Sequence, residues 1–278
     1  MAAKRNIRLV ALDLDGTLLN TEKTITPRNR QALDRLRTCG VEMVPVTGRP
    51  SEGLPQAVLE LPGLRYVVTS NGATIRDLHT GQVLLEKHLD AQTCLTVLDR
   101  CQGFPIIREV FRAGVGYLSQ ADHDALCARY EGTAMLQYLL DSRRVLPGTV
   151  EEFLQEDGGP VEELFFLTES TAAKAALRQT LEGLPSIGFA DPFPNDLEVI
   201  AGDIDKGEAF RYLLSHLGIS PEETLAMGDG GSDLPLLQAA GIAVAMGNGT
   251  PEVKAVADFV TTTCDEDGVA LALERLVL

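Results

Sequence analysis

The sequence has few basic residues for its size and no long apolar run. Its 278 residues carry 24 Lys and Arg against 40 Asp and Glu, a net charge of −16. That deficit of positive charge disfavours broad contact with a phosphate backbone, so nucleic acid is not an expected partner. Any phosphate site must therefore bring its own local positive charge, from a metal, a lysine or a helix N-terminus. No apolar run reaches the roughly 18 residues that a membrane span needs, so no membrane partner is expected. Met1–Arg8 is basic but leads straight into a strand-like segment. It has no apolar h-region and no small-residue cleavage site, so no signal peptide is read and the expected location is the cytoplasm. The five cysteines, Cys39, Cys94, Cys101, Cys127 and Cys264, are odd in number and include no C-x-x-C pair. A disulfide framework and a zinc knuckle are therefore not expected, and the thiols are read as reduced. The sequon Asn248-Gly249-Thr250 is given no role, because glycosylation requires secretion. The chain has no Walker A sequence, no internal repeat and no low-complexity tract.

Hydrophobic residues make up 45% and charged residues 23% of the chain, an ordinary globular balance. Its length suffices for one large domain or two smaller ones. Ile7–Leu14 is a mostly apolar run, as in a buried parallel strand. Thr26-Pro27 reads as an N-cap with Pro at the first helical position, Ala32, Leu33 and Leu36 give the helix its apolar stripe, and Gly40 stops it. Val41–Val46 and Tyr66–Thr69 are further strands, and His79-Thr80-Gly81 is the turn of a hairpin. The last quarter repeats the alternation. Helices are predicted over 206–217, 233–240, 251–257 and 268–277, with strands over 225–227 and 242–245. Strands separated by helices imply a doubly wound parallel sheet with right-handed crossovers. The middle differs. Helices near 90–102, 121–130 and 171–184 interleave with strand-like runs at 105–112, 161–168 and 197–201, an α+β insertion. The expected division is 1–85 and 202–278 for the α/β core and 86–201 for the insertion.

Four short segments carry chemistry. Asp13-Leu14-Asp15-Gly16-Thr17 directly follows the first strand, where doubly wound sheets bind ligands. Gly228-Asp229-Gly230-Gly231-Ser232-Asp233 follows another strand. Asp233 stands where a dinucleotide fingerprint needs Gly, and a calcium loop fails at Leu234 and Ala240. An acidic loop for a hard cation remains, or a plain turn. Thr47-Gly48-Arg49 offers a hydroxyl and backbone N–H groups that could grip a phosphate. Lys206 opens a helix, where the dipole favours an acid, so its charge is set against the local field. Asn71-Gly72 ends the third strand and reads equally as a turn or as part of a site. Together these junctions bring a nucleophile, a second acid, a hydroxyl, a cation and a metal-binding acid to one sheet edge, the kit for phosphoryl transfer.

On these residues the chain resembles the haloacid dehalogenase superfamily of phosphatases, in its Cof-like branch. Asp-x-Asp-Gly-Thr, Thr-Gly-Arg, Lys-Gly and Gly-Asp-x-x-x-Asp occur in family order, with the insertion between the second and third. The resemblance covers almost the whole chain. It implies a Rossmann-like core with a mobile inserted cap domain, and Mg²⁺ as cofactor. It assigns Asp13 as nucleophile and metal ligand, and Asp15 as general acid/base with a backbone carbonyl on the metal. Thr47 and Lys206 would hold the phosphoryl group and the nucleophile. Asp229 would ligate the metal with support from Asp233, and Gly48, Arg49 and Asn71 would line the phosphate site. Ser232 stands where the family usually has Asn, a shorter donor that joins the phosphate-binding set. The expected reaction is hydrolysis of small phosphorylated metabolites, sugar phosphates foremost, through a phospho-aspartate. A phosphomutase and a catalytically silent phosphometabolite binder are the alternatives. Specificity is expected to lie in the insertion, where Arg108, Arg112, Arg143 and Arg144 face either a cleft or solvent. The sequence assigns no oligomeric state.

Overall fold

A computed structural model describes residues 6–192 and 194–278. The basic stretch before residue 6 lies outside the described residues. The chain forms two compact units. One comprises the chain through Gly48, Leu54–Glu86 and Asp205–Leu278; the other comprises Arg49–Gly53 and Lys87–Ile204.

The first unit is built on a five-stranded, wholly parallel sheet. Its order is Phe259–Val260, Ile242–Ala245, Thr224–Gly228, Leu9–Leu12, Glu42–Pro45. Leu9–Leu12 lies between Thr224–Gly228 and Glu42–Pro45 and is fully buried, which is why it reads as an unbroken apolar run rather than an alternation. Val10, Leu12, Leu225 and Met227 share one face and join a core with Leu36, Val269 and Leu273 from the helices Pro27–Thr38 and Gly268–Leu276. Pro45 ends its strand, where its missing N–H costs the ladder least. The Thr26 hydroxyl accepts from the Asn29 N–H, so the expected N-cap forms, with Pro27 behind it. Gly218 closes the helix Lys206–Leu217 in the left-handed region at φ 62°.

Tyr66–Thr69, Thr74–Asp77 and Val83–Glu86 form a separate three-stranded antiparallel sheet. An isolated parallel bridge, Val46 to Val68, ties it to the end of Glu42–Pro45. The third strand therefore does not extend the main ladder as the sequence suggests, although it runs beside it.

The second unit is a six-stranded sheet in the order Ile187–Ala190, Asp196–Ala201, Glu163–Leu167, Ile107–Arg112, Val115–Leu118, Arg143–Val145. All its pairs are antiparallel except the last. Helices Ala91–Arg100, Gln120–Arg129 and Thr171–Leu181 match the sequence reading within a few residues. Ala134–Ser142 and Val150–Asp157 are further helices that it did not anticipate. Among the described residues no helix is long and apolar enough to cross a membrane. All five cysteines are free, and burial pushes the Cys94 and Cys101 thiols up to about 12, which keeps them unreactive.

Candidate active site

The site is assembled at the carboxyl ends of the parallel strands. Asp13 follows Leu9–Leu12 and Asp229 follows Thr224–Gly228, and these strands are neighbours in register, so their loops start side by side. The Asp13 N–H donates to the Met227 carbonyl at 3.1 Å, which extends the ladder by one step and fixes the carboxylate at the edge. Gly16 then turns the chain at φ 81°, and a Cβ there would stand 2.3 Å from Asp229 Oδ2. Only glycine permits this turn and this approach together.

Lys206 explains its own position. It is the first residue of its helix, and side chains there tilt back toward the N-terminus. Its Nζ donates to Asp13 Oδ1 at 2.8 Å and to Asp233 Oδ1 at 2.6 Å, and the residue is 2% exposed. Gly207 lets the helix come this close, since a Cβ there would meet the Pro235 carbonyl at 2.4 Å. Asp233 Oδ2 accepts the N–H groups of Asp229 and Gly230, both at 2.9 Å, so that carboxylate shapes the loop as well as pairing the lysine. Ser232 sits half-buried in the turn Gly231–Asp233.

Carboxylate oxygens of Asp13, Asp229 and Asp233 all lie within 4.8 Å of one another. Two of these three carboxylates bond the Lys206 ammonium, and Asp229 feels its charge at longer range. Burial and the Asp233 charge push Asp13 well above the usual carboxylate range, against the pull of Lys206. Burial and Asp233 raise Asp229 likewise. Burial alone would depress the Lys206 ammonium, but Asp13 and Asp233 outweigh it and hold the charge firmly. The cluster therefore carries more negative charge than its own cation neutralises. Its donors are all hard oxygens with no thiol or imidazole among them, which fits a divalent cation of the Mg²⁺ or Ca²⁺ type.

The other sequence-chosen residues fall into two groups. Thr47 and Asn71 are buried and linked through the Asn71 N–H, which donates to the Thr47 carbonyl at 3.1 Å. Gly48 packs against the Asn71 amide, where a Cβ would sit 3.1 Å from Oδ1. Val46 pairs to the first strand's end through its N–H on the Leu12 carbonyl, so Thr47 emerges beside Asp13. Asp15 stands apart from the acidic cluster, and its Oδ1 accepts from Lys23 Nζ at 2.6 Å. Arg49 belongs to the second unit, where its Nη1 donates to the Gly53 carbonyl and its guanidinium lies 4.0 Å over the Tyr138 ring. Arg143 is buried against Glu109, Arg108 reaches Glu151, Arg112 donates to the Gly159 carbonyl, and Arg144 donates to the Asp141 and Arg143 carbonyls.

Sequence reasoning passed over three contributors. Lys23 is the charged partner of Asp15, and its own backbone is left-handed at φ 57°. Thr17 donates to Asp229 Oδ1 at 3.2 Å. Asn248 donates to the Gly16 carbonyl at 2.8 Å and to Asp229 Oδ2 at 3.3 Å. The signal for Asn248 was present, because Gly247-Asn248-Gly249 follows an apolar strand as the other site loops do.

A doubly wound α/β protein with clustered carboxylates at the carboxyl ends of its parallel strands, two of them bonded to one buried lysine, is the class that fold and site define. The chain belongs to the haloacid dehalogenase-like hydrolase family, whose model matches residues 10–273. Among relatives, YxeH of Bacillus subtilis (strain 168) is 30% identical over 279 residues, spanning 98% of each chain. "Phosphatase YwpJ" of the same organism is 29% identical over 291 residues, spanning 98% of this chain and all of its own. A solved haloacid dehalogenase-like hydrolase from B. subtilis superposes with a TM-score of 0.87 at 28% identity, spanning 98% of this chain and 100% of that one.

Proposed function

We propose that this enzyme is a Mg²⁺-dependent phosphatase of small phosphorylated metabolites, sugar phosphates foremost, and that it forms a phospho-aspartate on Asp13. The observation that carries the reading is the buried Lys206 ammonium, which bridges Asp13 and Asp233 beside Asp229. A pure binding site has no use for an anionic carboxylate aimed at a phosphate. A nucleophile does, once its charge is offset. The name of the relative YwpJ supports the same reaction class.

In this reading Asp13 attacks phosphorus, and the bond from phosphorus to the leaving oxygen breaks. Asp15 gives that oxygen its proton, and the alcohol departs. Asp15 then takes a proton from water as the water oxygen attacks the phospho-aspartate, which frees inorganic phosphate and restores Asp13. Lys206 orients Asp13 and spreads the phosphoryl charge, helped by the Thr47 hydroxyl, by the backbone N–H groups of Gly48 and Arg49, and by Asn71 and Ser232. Asp13, Asp229, the Asp15 carbonyl and, in support, Asp233 would hold Mg²⁺, which when bound supplies positive charge to the phosphoryl oxygens. Lys23 gives the resting Asp15 a charged partner. Residues 86–201 are assigned to substrate selection, and residues 1–85 and 202–278 to chemistry. We place the enzyme in the cytoplasm, a reducing compartment that suits five free thiols.

Phosphate release from a panel of phosphorylated sugars, nucleotides and cofactors tests this. Release is expected with Mg²⁺, is lost with chelator, and returns when Mg²⁺ is restored. Isomerised sugar phosphate without free phosphate would make the enzyme a mutase. Ligand binding without turnover would make it a silent binder.

A further inference from the structure

The loop after strand Ile242–Ala245 holds Asp229 at two points. Its Thr250 N–H donates to the Asp229 carbonyl at 3.0 Å. Its Asn248 side chain reaches the carboxylate itself, with Nδ2 at 3.3 Å from Oδ2. The same Nδ2 donates to the Gly16 carbonyl at 2.8 Å, in the loop that carries Asp13 and Asp15. The amide oxygen accepts the Cys264 N–H at 2.9 Å, so both ends of the amide are used and its orientation is fixed. Thr17 occupies the other Asp229 oxygen from the opposite side. Two neutral donors therefore flank the Asp229 carboxylate, one on each oxygen.

An amide suits this place for a specific reason. The site already holds three carboxylates against one ammonium, so a further acid would add repulsion. A basic side chain would neutralise the cluster and compete with a bound cation. A neutral donor orients the carboxylate and leaves its charge intact. Partners of this kind, one step behind a metal ligand, commonly change metal affinity by about 10–100-fold when removed.

We propose that Asn248 is a positioning residue that sets the divalent-cation affinity of the site by locking Asp229 to the Gly16 loop. The inference rests on the function proposed above, because it takes Asp229 to be a metal ligand. It gives the Asn-x-Thr sequence a physical role unrelated to glycosylation.

The test titrates MgCl₂ into metal-free, full-length protein by calorimetry, for the wild type and Asn248→Ala. Thermal unfolding of both metal-free proteins and phosphate release across Mg²⁺ concentrations complete it. Asn248→Ala is expected to bind Mg²⁺ about 10-fold or more weakly. Its metal-free melting temperature should fall modestly, because the Gly16 carbonyl and the Cys264 N–H each lose a partner, and affinities are compared below both transitions. The Mg²⁺ concentration for half-maximal phosphate release should rise by the same factor, with kcat recovered at high Mg²⁺. Wild-type Mg²⁺ affinity in the variant would overturn the proposal, whatever happens to its melting temperature. A lowered kcat that no Mg²⁺ concentration recovers would overturn it too. If the wild type itself binds no Mg²⁺, the proposed function fails first, and the role of Asn248 falls with it.

Discussion

Each unit of the molecule buries a charged constellation, and the two are built on opposite plans. In the inserted unit the Arg143 Nε donates to Glu109 Oε2 at 2.7 Å, with side chains 6% and 0% exposed. The guanidinium also lies 4.8 Å from the centroids of both Phe111 and Tyr138 and donates to the Ser142 hydroxyl. One cation meets one anion, and Glu109 keeps the guanidinium charged against the pull of burial. In the parallel-sheet unit one ammonium pairs with two carboxylates while a third, Asp229, lies close beside them, and burial pushes Asp13 and Asp229 up. A balanced buried pair has no net charge left to neutralise, although Glu109 Oε1 is buried without a hydrogen bond. An unbalanced one is stable only as a compromise, and it gains from a further cation. The contrast separates structural charge from functional charge without reference to sequence motifs.

The comparison breaks or sharpens in three experiments. The largest effect is expected at Asp13. Asp13→Asn should lower phosphate release by at least about 10³-fold, because the nucleophile is gone. Its metal-free form should melt at the wild-type temperature or above, because one of three mutually repelling carboxylates is removed. A melting temperature several degrees lower would contradict the unbalanced description. The second effect is at the balanced pair. Glu109→Gln leaves a buried guanidinium without its anion and should cost about 3–5 kcal/mol in denaturant unfolding. Replacing both partners together, as Glu109→Met with Arg143→Met, should recover most of that loss. A double variant as unstable as the single one would show that the pair is worth more than apolar packing.

The smallest effect is a pH dependence within the inserted unit. Burial pushes Asp196 up to about 6, only partly offset by Lys174 and Arg129. The folded protein thus holds a proton that the unfolded chain releases near the ordinary value of 3.8. Stability should fall as pH rises from about 4 to 6, by up to about 3 kcal/mol from this group. Asp196→Asn should flatten that part of the curve in urea midpoints measured against pH. An unchanged slope would show that Asp196 ionises freely.

How much was legible in the sequence follows the same division. The central strands of the parallel unit are buried on both faces and read as apolar runs, and the ends of their helices carry Thr26-Pro27 and Gly218 as side-chain and glycine signals. Asp13, Lys206, Asp229 and Asp233 were found because they lie next to those boundaries. The inserted unit hides its elements. Arg143–Val145 is a strand of only three residues that opens with two arginines, and it shows no alternation. Its first arginine is buried because Glu109, on another strand, receives it. The helix Ala134–Ser142 has only an unbonded Thr133 at its N-cap, whereas Val150–Asp157 carries a Thr149/Glu152 capping box and a Gly158 stop, a legible signal that the sequence reading passed over. Asn248 escaped although its loop follows an apolar strand like the other site loops, because an amide names no chemistry until its partners Asp229 and Gly16 are known.

The strand Leu9–Leu12 pairs with the central strand Thr224–Gly228, so the ladder that sets Asp13 beside Asp229 joins segments more than two hundred residues apart. During synthesis the inserted unit, almost wholly the continuous stretch Lys87–Ile204, has all its strands available before that partner exists. The parallel sheet must wait with its first strand exposed on one edge. On the function proposed above, the newborn chain gains its chemistry late, when residues 206–233 arrive to join Asp13 and Asp15. A ribosome stalled before that point would carry a protein with most of its mass and none of its activity.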